Sequence, residues 1–284
     1  MVNAMEPVMP LRPLGRSGVD VPALGVGTNR WGRGRGVDQL APVFSAALDA
    51  GANLIDTAEI YLGSEKTIGA CLRRDPRPAL VVTKFAPYPT RLSARSFHKA
   101  LDGSLARLGR DSVDLYLIHF PFSVVGIPSL IDRLAEVVQA GKARAVGVSN
   151  FSVRQMHIAA ERLDRHGVPL TANEVQFSVF HRDPERNGVL AACRELDVAL
   201  IAYRPLAGGR TRPDGSALDR TLAGIARARD KTVAQVALSW LLSRNERIVA
   251  IPGATSVEHL RENVGAAGWT LNDDELAALE GSSA

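Results

Sequence analysis

The 284-residue chain is poor in cysteine, in aromatic residues and in charge of one sign. Its only cysteines, Cys71 and Cys193, lie far apart without the short spacing of metal ligands. That speaks against a disulfide framework and a zinc site, and favours two buried thiols with no metal bound. Aromatic residues make up 5% of the chain, and the net charge of +4 comes from scattered arginines rather than a basic run interleaved with aromatics. Nucleic acid is therefore not an expected partner, whereas a small anionic ligand is compatible. No window reaches the ~18 apolar residues of a membrane span. The opening MVNAMEPVMP lacks the basic and apolar regions of a secretory signal. The expectation is a cytoplasmic protein without a membrane partner, residues 1–10 forming a loose N-terminus.

Hydrophobic residues, at 46%, are plentiful enough for a substantial core. They fall into eight short runs: ALGVGT at 23–28, NLIDT at 53–57, ALVVTK at 79–84, VDLYLIH at 113–119, ARAVGVSN at 143–150, TANEVQF at 171–177, VALIAY at 198–203 and IVAIPG at 248–253. Segments of helical periodicity separate them, such as SLIDRLAEVVQAG and VRQMHIAAERLDRHG, closing at Gly141 and Gly167 where a C-terminal cap belongs. Continuous apolar strands alternating with amphipathic helices predict a parallel sheet covered on its faces. Eight regular units favour an α/β fold of the (β/α)8 TIM barrel type, with residues 1–284 forming one domain. LRPLGRSGVDVPAL reads as an N-terminal hairpin turning at Ser17-Gly18 and plugging the barrel bottom. AGGRTRPDGSALD, in the long interval before the eighth run, reads as a mobile loop followed by an extra helix. A dinucleotide-binding Rossmann unit is the rival, because LGVGTNR begins with G-x-G and Asp56 follows one unit later. It fails for want of a third glycine opening a helix.

In a barrel of this type the active site lies at the C-terminal ends of the strands. Those ends carry Asp56, Lys84, His119, Ser149 with Asn150, Gln176 and Tyr203. Each alone has a bland reading as a cap, a solvated charge or a packed side chain; the succession along one rim is what points to a site.

The motifs LGRSGVDVPALGVGT, DTAEIYLGSEKTIG, VVTK, VDLYLIHFP, GKARAVGVSNFS, NEVQFSVF, AYRPLAGG and IPGATSVEHLREN occur in one order across almost the whole chain. In that order they resemble the aldo-keto reductase superfamily. The resemblance implies reduction of a small-molecule carbonyl substrate with NADP(H) and a catalytic tetrad of Asp56, Tyr61, Lys84 and His119. It implies cofactor contacts from Gly27 and Thr28, and from Ser149, Asn150 and Gln176 at the nicotinamide carboxamide, with Tyr203 stacked on the ring. Leu206 and Gly208 match the pyrophosphate loop. Arg204 stands there where a serine is common, either touching phosphate or facing solvent. Ile251 and Gly253 lead into Thr255, Ser256 and His259 near the 2′-phosphate, and Glu262 and Asn263 at the adenine.

Carbonyl reduction needs a hydride donor at carbon and a proton donor at oxygen. On this reading Tyr61 is the acid, Lys84 lowers its pKa, Asp56 keeps the lysine charged and His119 orients the substrate oxygen. Trp31, Phe120 and Phe122 are candidate walls of an open substrate pocket, Trp31 alternatively packing under the rim, and a monomer or weak oligomer is expected. Two other readings stand beside this one: a redox-sensing regulatory barrel resembling potassium-channel β subunits, and a lysine Schiff-base enzyme at Lys84.

Overall fold

The structure, a computed structural model, describes residues 9–32, 34–89, 91, 93–122, 126–208 and 215–282. The loose terminus expected at residues 1–10 therefore lies outside the described residues except for Met9 and Pro10, as does most of the expected loop before Gly215. Two short antiparallel strands open the fold: β1 (Leu11–Pro13) and β2 (Asp20–Pro22), with Arg12 opposite Val21. The turn between them is held by Leu14 N–H donating to Val19 O at 2.8 Å and by Ser17 Oγ donating to Leu14 O at 2.7 Å.

Eight parallel strands follow in chain order: β3 (Val26–Gly27), β4 (Leu54–Asp56), β5 (Leu80–Phe85), β6 (Val113–Ile118), β7 (Ala143–Ser149), β8 (Leu170–Gln176), β9 (Ala199–Tyr203) and β10 (Ile248–Ile251). The ring closes between the last strand and the first. Gly25 N–H donates to Ala250 O at 2.9 Å, Ala250 N–H to Ala23 O at 2.9 Å and Gly27 N–H to Pro252 O at 3.1 Å. The sheet is thus a (β/α)8 barrel with no free edge.

Helices between the strands cover the outside. Gly141 and Gly167 both take the left-handed conformation, at φ 71° and 69°, ending their helices where the sequence indicated. Two helices, Ala217–Ala228 and Val233–Ser243, separate β9 from β10, and Asp273–Gly281 follows the barrel; these are the additional late helices. Their starts are locally specified: Thr232 with Gln235, and Asn272 with Glu275, form capping boxes.

Period-two alternation divides the core. One face of β4 to β10 contributes Leu54, Val82, Leu115, Leu117, Ala145, Ala172, Ile201 and Val249 to the barrel interior, and Leu14 and Val21 of the hairpin join that cluster. The plug is therefore real: the hairpin closes the bottom with its own side chains. The opposite faces pack beneath the helices in a larger apolar layer that includes Phe44, Phe97, Tyr116, Phe177 and Trp240. Burying each such large apolar side chain stabilises the fold by about 1.5–3 kcal/mol. The interior cluster reaches only partway up the barrel, leaving the upper layer to polar side chains.

Candidate active site

The polar layer continues the same alternation. Two residues above Leu54 comes Asp56; above Val82, Lys84; above Leu117, His119; above Ala172, Glu174; and above Ile201, Tyr203. Lys84 is the centre of this layer and has 0% of its surface exposed. Its ammonium donates to Asp56 Oδ2 at 2.5 Å and to Thr57 O at 2.9 Å, and Glu174 Oε2 lies 3.2 Å away. The Tyr61 ring centre is 5.4 Å from the same nitrogen, and Tyr61 meets His119 edge to face at 5.7 Å.

Burial alone would strip Lys84 of its proton, but attraction by Asp56, Glu174 and Tyr61 more than reverses that and holds its pKa above the ordinary 10.5. The lysine is an ammonium throughout the neutral range. Burial drives Asp56 upward, Lys84 offsetting part of the shift. For Tyr61 the direction differs from the sequence-based expectation: the phenol lies above its ordinary 10.0. Burial outweighs the lowering by Lys84, and Asp56 and Glu174 add to the rise. His119 is pushed down to about 3 by burial and then by the neighbouring ammonium, so the imidazole is neutral. Its Nδ1 is buried without a hydrogen-bond partner while the ring lines the cavity above.

Tyr61 lies on the loop after β4, and a chain of hydroxyls holds that loop. Thr28 Oγ1 donates to Asp56 O at 2.6 Å, Thr57 Oγ1 donates to Ser64 Oγ at 2.9 Å, and Ser64 Oγ lies 2.8 Å from Thr28 Oγ1. Ser64 N–H also donates to Tyr61 O at 2.9 Å. Against the loop lies Gly32, where a Cβ would come within 1.6 Å of Leu62 O. The neighbouring loop after β3 thus approaches so closely that only hydrogen fits. Ser64 and Thr57 escape a search for chemistry because their hydroxyls serve only the loop; TAEIYLGS carries no local mark of that role.

A cavity of about 700 Å³ opens over the tetrad and runs across the barrel mouth. Asp56, Tyr61, His119 and Phe120 line one end, with Phe120 stacked on His119 at 4.3 Å. Ser149, Asn150, Tyr203 and Glu174 line the middle, beside Gly27 and Thr28. Tyr203 Oη donates to Asn150 Oδ1 at 3.0 Å, fixing ring and amide together. Arg204, Leu206, Gly208, Ile251 and Gly253 continue the wall to Thr255, His259, Glu262 and Asn263. Arg204 lines the cavity at its solvent-exposed edge, its guanidinium lying beside Gly208.

Four sequence-predicted residues are placed elsewhere. Gln176 is one pleat farther out than Glu174 and does not line the cavity. Ser256 spends its oxygen capping the helix Val257–Val264, accepting from His259 N–H at 3.2 Å. Trp31 is 0% exposed, and its Nε1 donates to Ala254 O at 2.8 Å, so it packs under the rim and ties the first βα loop to the last. Phe122 is 71% exposed and stands off the cavity. Conversely, Glu174, Asn29 and Arg30 line the cavity without having been singled out. For Glu174 the signal was present, since stepping by two from Ala172 reaches it before Gln176. Among the described residues no group of three or more His, Cys, Asp or Glu is arranged to hold a metal ion, and no helix is long and apolar enough to cross a membrane.

A (β/α)8 barrel with a buried polar cluster below a cavity at its C-terminal rim has the layout of a barrel enzyme, and the comparisons make the class specific: the aldo/keto reductase family model matches residues 23–284, and the chain belongs to that family. The chloroplastic pyridoxal reductase of Arabidopsis thaliana is 33% identical over 305 residues, covering 92% of this chain and 83% of that protein. A thermostable aldo-keto reductase solved with the inhibitor epalrestat superposes with a TM-score of 0.86 at 36% identity, covering 96% of this chain and 99% of that one. An aldo/keto reductase from Klebsiella pneumoniae, solved with NADP and acetate, gives 0.84 at 32% identity, over 95% and 94% of the two chains.

Proposed function

We propose that the protein reduces aldehydes or ketones to alcohols with NADPH, Tyr61 supplying the proton. The observation that carries this reading is the fully buried Lys84, bound to Asp56 and facing the Tyr61 ring beside a neutral His119, at the closed end of a long cavity.

The residues present fit a dinucleotide. The cavity volume lies in the range of small-molecule and cofactor sites, about 300–1,000 Å³. Its middle offers the hydroxyl and amide of Ser149 and Asn150 beside the Tyr203 ring, and its far end offers the N-terminal turn of the helix Val257–Val264. Ser149, Asn150 and Tyr203 would hold the nicotinamide end, and Arg204, Leu206 and Gly208 the pyrophosphate. Thr255, His259, Glu262 and Asn263 would hold the adenosine end, with Arg30 a further basic group for phosphate. NADP preference is supported by the NADP-bound Klebsiella relative.

When bound, the cofactor supplies hydride to the carbonyl carbon. Tyr61 gives its phenolic proton to the carbonyl oxygen, so that the π bond of the C=O is replaced by a C–H and an O–H bond while the C–O bond remains, and the phenolate left behind takes up one proton from the solvent. At rest the phenol is neutral, because burial holds it so and the Asp56 carboxylate adds to the effect. It transfers its proton only as the oxygen becomes alkoxide-like, and Lys84 stabilises the phenolate as it forms. His119 is neutral and its Nδ1 is buried, which leaves Nε2 to donate a hydrogen bond to the same oxygen. Asp56 holds the ammonium in place.

Phe120 forms one side of the mouth and, among the described residues that line the cavity, no bulky wall closes the other, which favours small or extended carbonyls over an enclosed polycyclic one. The pyridoxal reductase relative makes pyridoxal one member of the first test panel. The experiment is loss of NADPH absorbance with a panel of aldehydes and ketones. Turnover of at least one is expected. Tight NADPH binding without any turnover would instead favour a cofactor-sensing barrel.

A further inference from the structure

Lys84 has three N–H donors. Asp56 Oδ2 and Thr57 O take two of them. Two groups are placed to claim the third: the Tyr61 phenol, whose ring centre is 5.4 Å away, and Glu174, whose Oε2 is 3.2 Å away yet makes no hydrogen bond. A carboxylate at that distance from a buried ammonium would ordinarily accept from it. Glu174 Oε2 is buried and lies at ion-pair distance from Lys84 without the alignment of a hydrogen bond, while two of the ammonium's donors go to Asp56 and Thr57.

The charge count points the same way. Asp56, Glu174 and Lys84 are all at least 98% buried. With both carboxylates ionised the cluster would carry one uncompensated negative charge away from water, which is costly. One proton shared between the carboxylates restores balance. The other groups facing Glu174 do not supply the missing charge: Tyr203 and Tyr61 are neutral phenols, His119 is neutral, and its strand neighbours across the sheet are Ser149 and Ile201. Arg204 lies beyond Tyr203, at the cavity wall.

We propose that Glu174 is a positioning residue of the reductase: as the neutral acid it donates to Asp56, and so leaves the third N–H of Lys84 to Tyr61. This rests on the function proposed above. Burial raises both carboxyls above their ordinary values, Lys84 offsetting part of each rise, and the Asp56 carboxylate raises Glu174 further. Lys84 lies closer to Asp56, at 2.5 Å with a hydrogen bond, than to Glu174, at 3.2 Å, which favours the charge on Asp56 and the proton on Glu174. Once Glu174 ionises, its carboxylate takes the third N–H and adds negative charge beside the phenol. Tyr61 becomes a weaker acid while still protonated, and reduction slows before Tyr61 itself titrates.

Glu174→Gln is nearly isosteric, keeps an N–H to offer Asp56 and cannot ionise. Three readouts test the proposal. Infrared difference spectra of the wild-type protein should show a protonated-carboxyl C=O band that disappears with rising pH and is missing from Glu174→Gln. Thermal unfolding supplies the second. A carboxyl with a raised folded pKa contributes stability that is fully present below its unfolded value, here 4.5, and is lost as pH rises. The Tm of Glu174→Gln should therefore gain on that of wild type as pH increases from that value. Third, wild-type kcat should fall in two alkaline steps and that of the variant in one.

A missing carboxyl band together with a Tm difference that does not change with pH would overturn the proposal. Because band and Tm need no substrate, they separate the two readings. Both present without turnover would leave the shared proton standing and sink its role in reduction; turnover with neither would retain the reductase and remove Glu174 from it.

Discussion

At the scale of single residues, one buried ammonium organises the site, and its removal should be felt first in stability. Lys84→Met leaves the buried Asp56 carboxylate without a counter-charge beside Glu174, and removing one partner of a buried pair costs about 3–5 kcal/mol. Denaturant unfolding at neutral pH should show that loss, and the deficit should shrink toward acid pH as Asp56 takes up a proton. In the wild type the linkage runs the other way at high pH. A lysine whose folded pKa is raised contributes stability that is complete below its unfolded 10.5 and lost as pH climbs through the folded value. His119 gives a separate prediction. Because burial and Lys84 hold it down to about 3, kcat/KM should show no histidine limb between pH 5 and 8, where an unperturbed imidazole titrates. A limb near 6.5 would contradict the neutral donor. Of these residues, Asp56, Lys84 and His119 were legible as strand-end polar groups, and Tyr61 only through the motif it sits in. Glu174 and Gln176 share a face of the strand, and stepping by two from Ala172 reaches Glu174 first, a signal that becomes readable once the height of Ala172 in the barrel is known.

At the scale of elements, what the chain builds is a set of loops held by neighbours rather than by themselves. The Tyr61 loop rests on Thr28, Thr57 and Ser64 and on the closeness of Gly32 to Leu62. Gly32→Ala should push that loop outward. It is expected to lower kcat by ten-fold or more, as a displaced proton donor would, with a much smaller change in NADPH affinity. Kinetics and equilibrium binding measured on one preparation would separate the two effects. Strands and helices were legible because alternation and helical periodicity are local properties of the sequence. The contacts between loops were not, since Trp31 bonds Ala254 and Ser64 meets Thr28 only after the barrel has closed. Phe122 shows the converse: an aromatic residue beside the mouth invites a role as wall, but the loop after β6 turns it outward to 71% exposure.

At the scale of the whole molecule, closure is what converts eight short strands into a site. β3 spans only Val26–Gly27, and its seam with β10 is made by a few backbone bonds around Ala23, Gly25 and Gly27. The barrel's lower half is filled by apolar side chains and sealed by the hairpin, so the polar upper layer opens in one direction, toward the cavity. Eight units in sequence made that architecture legible from alternation alone, and the motif order gave the family. The electrostatics required the closed ring: the phenol's upward shift comes from burial, with the Asp56 carboxylate at the end of the preceding strand adding to it. The most direct test of Tyr61 as the acid of a carbonyl reductase is single-turnover hydride transfer from bound NADPH in wild type and Tyr61→Phe, with NADPH affinity measured in parallel. The expected result is a rate lower by about 10²–10⁴-fold with affinity close to wild type. An unchanged transfer rate in Tyr61→Phe would contradict it.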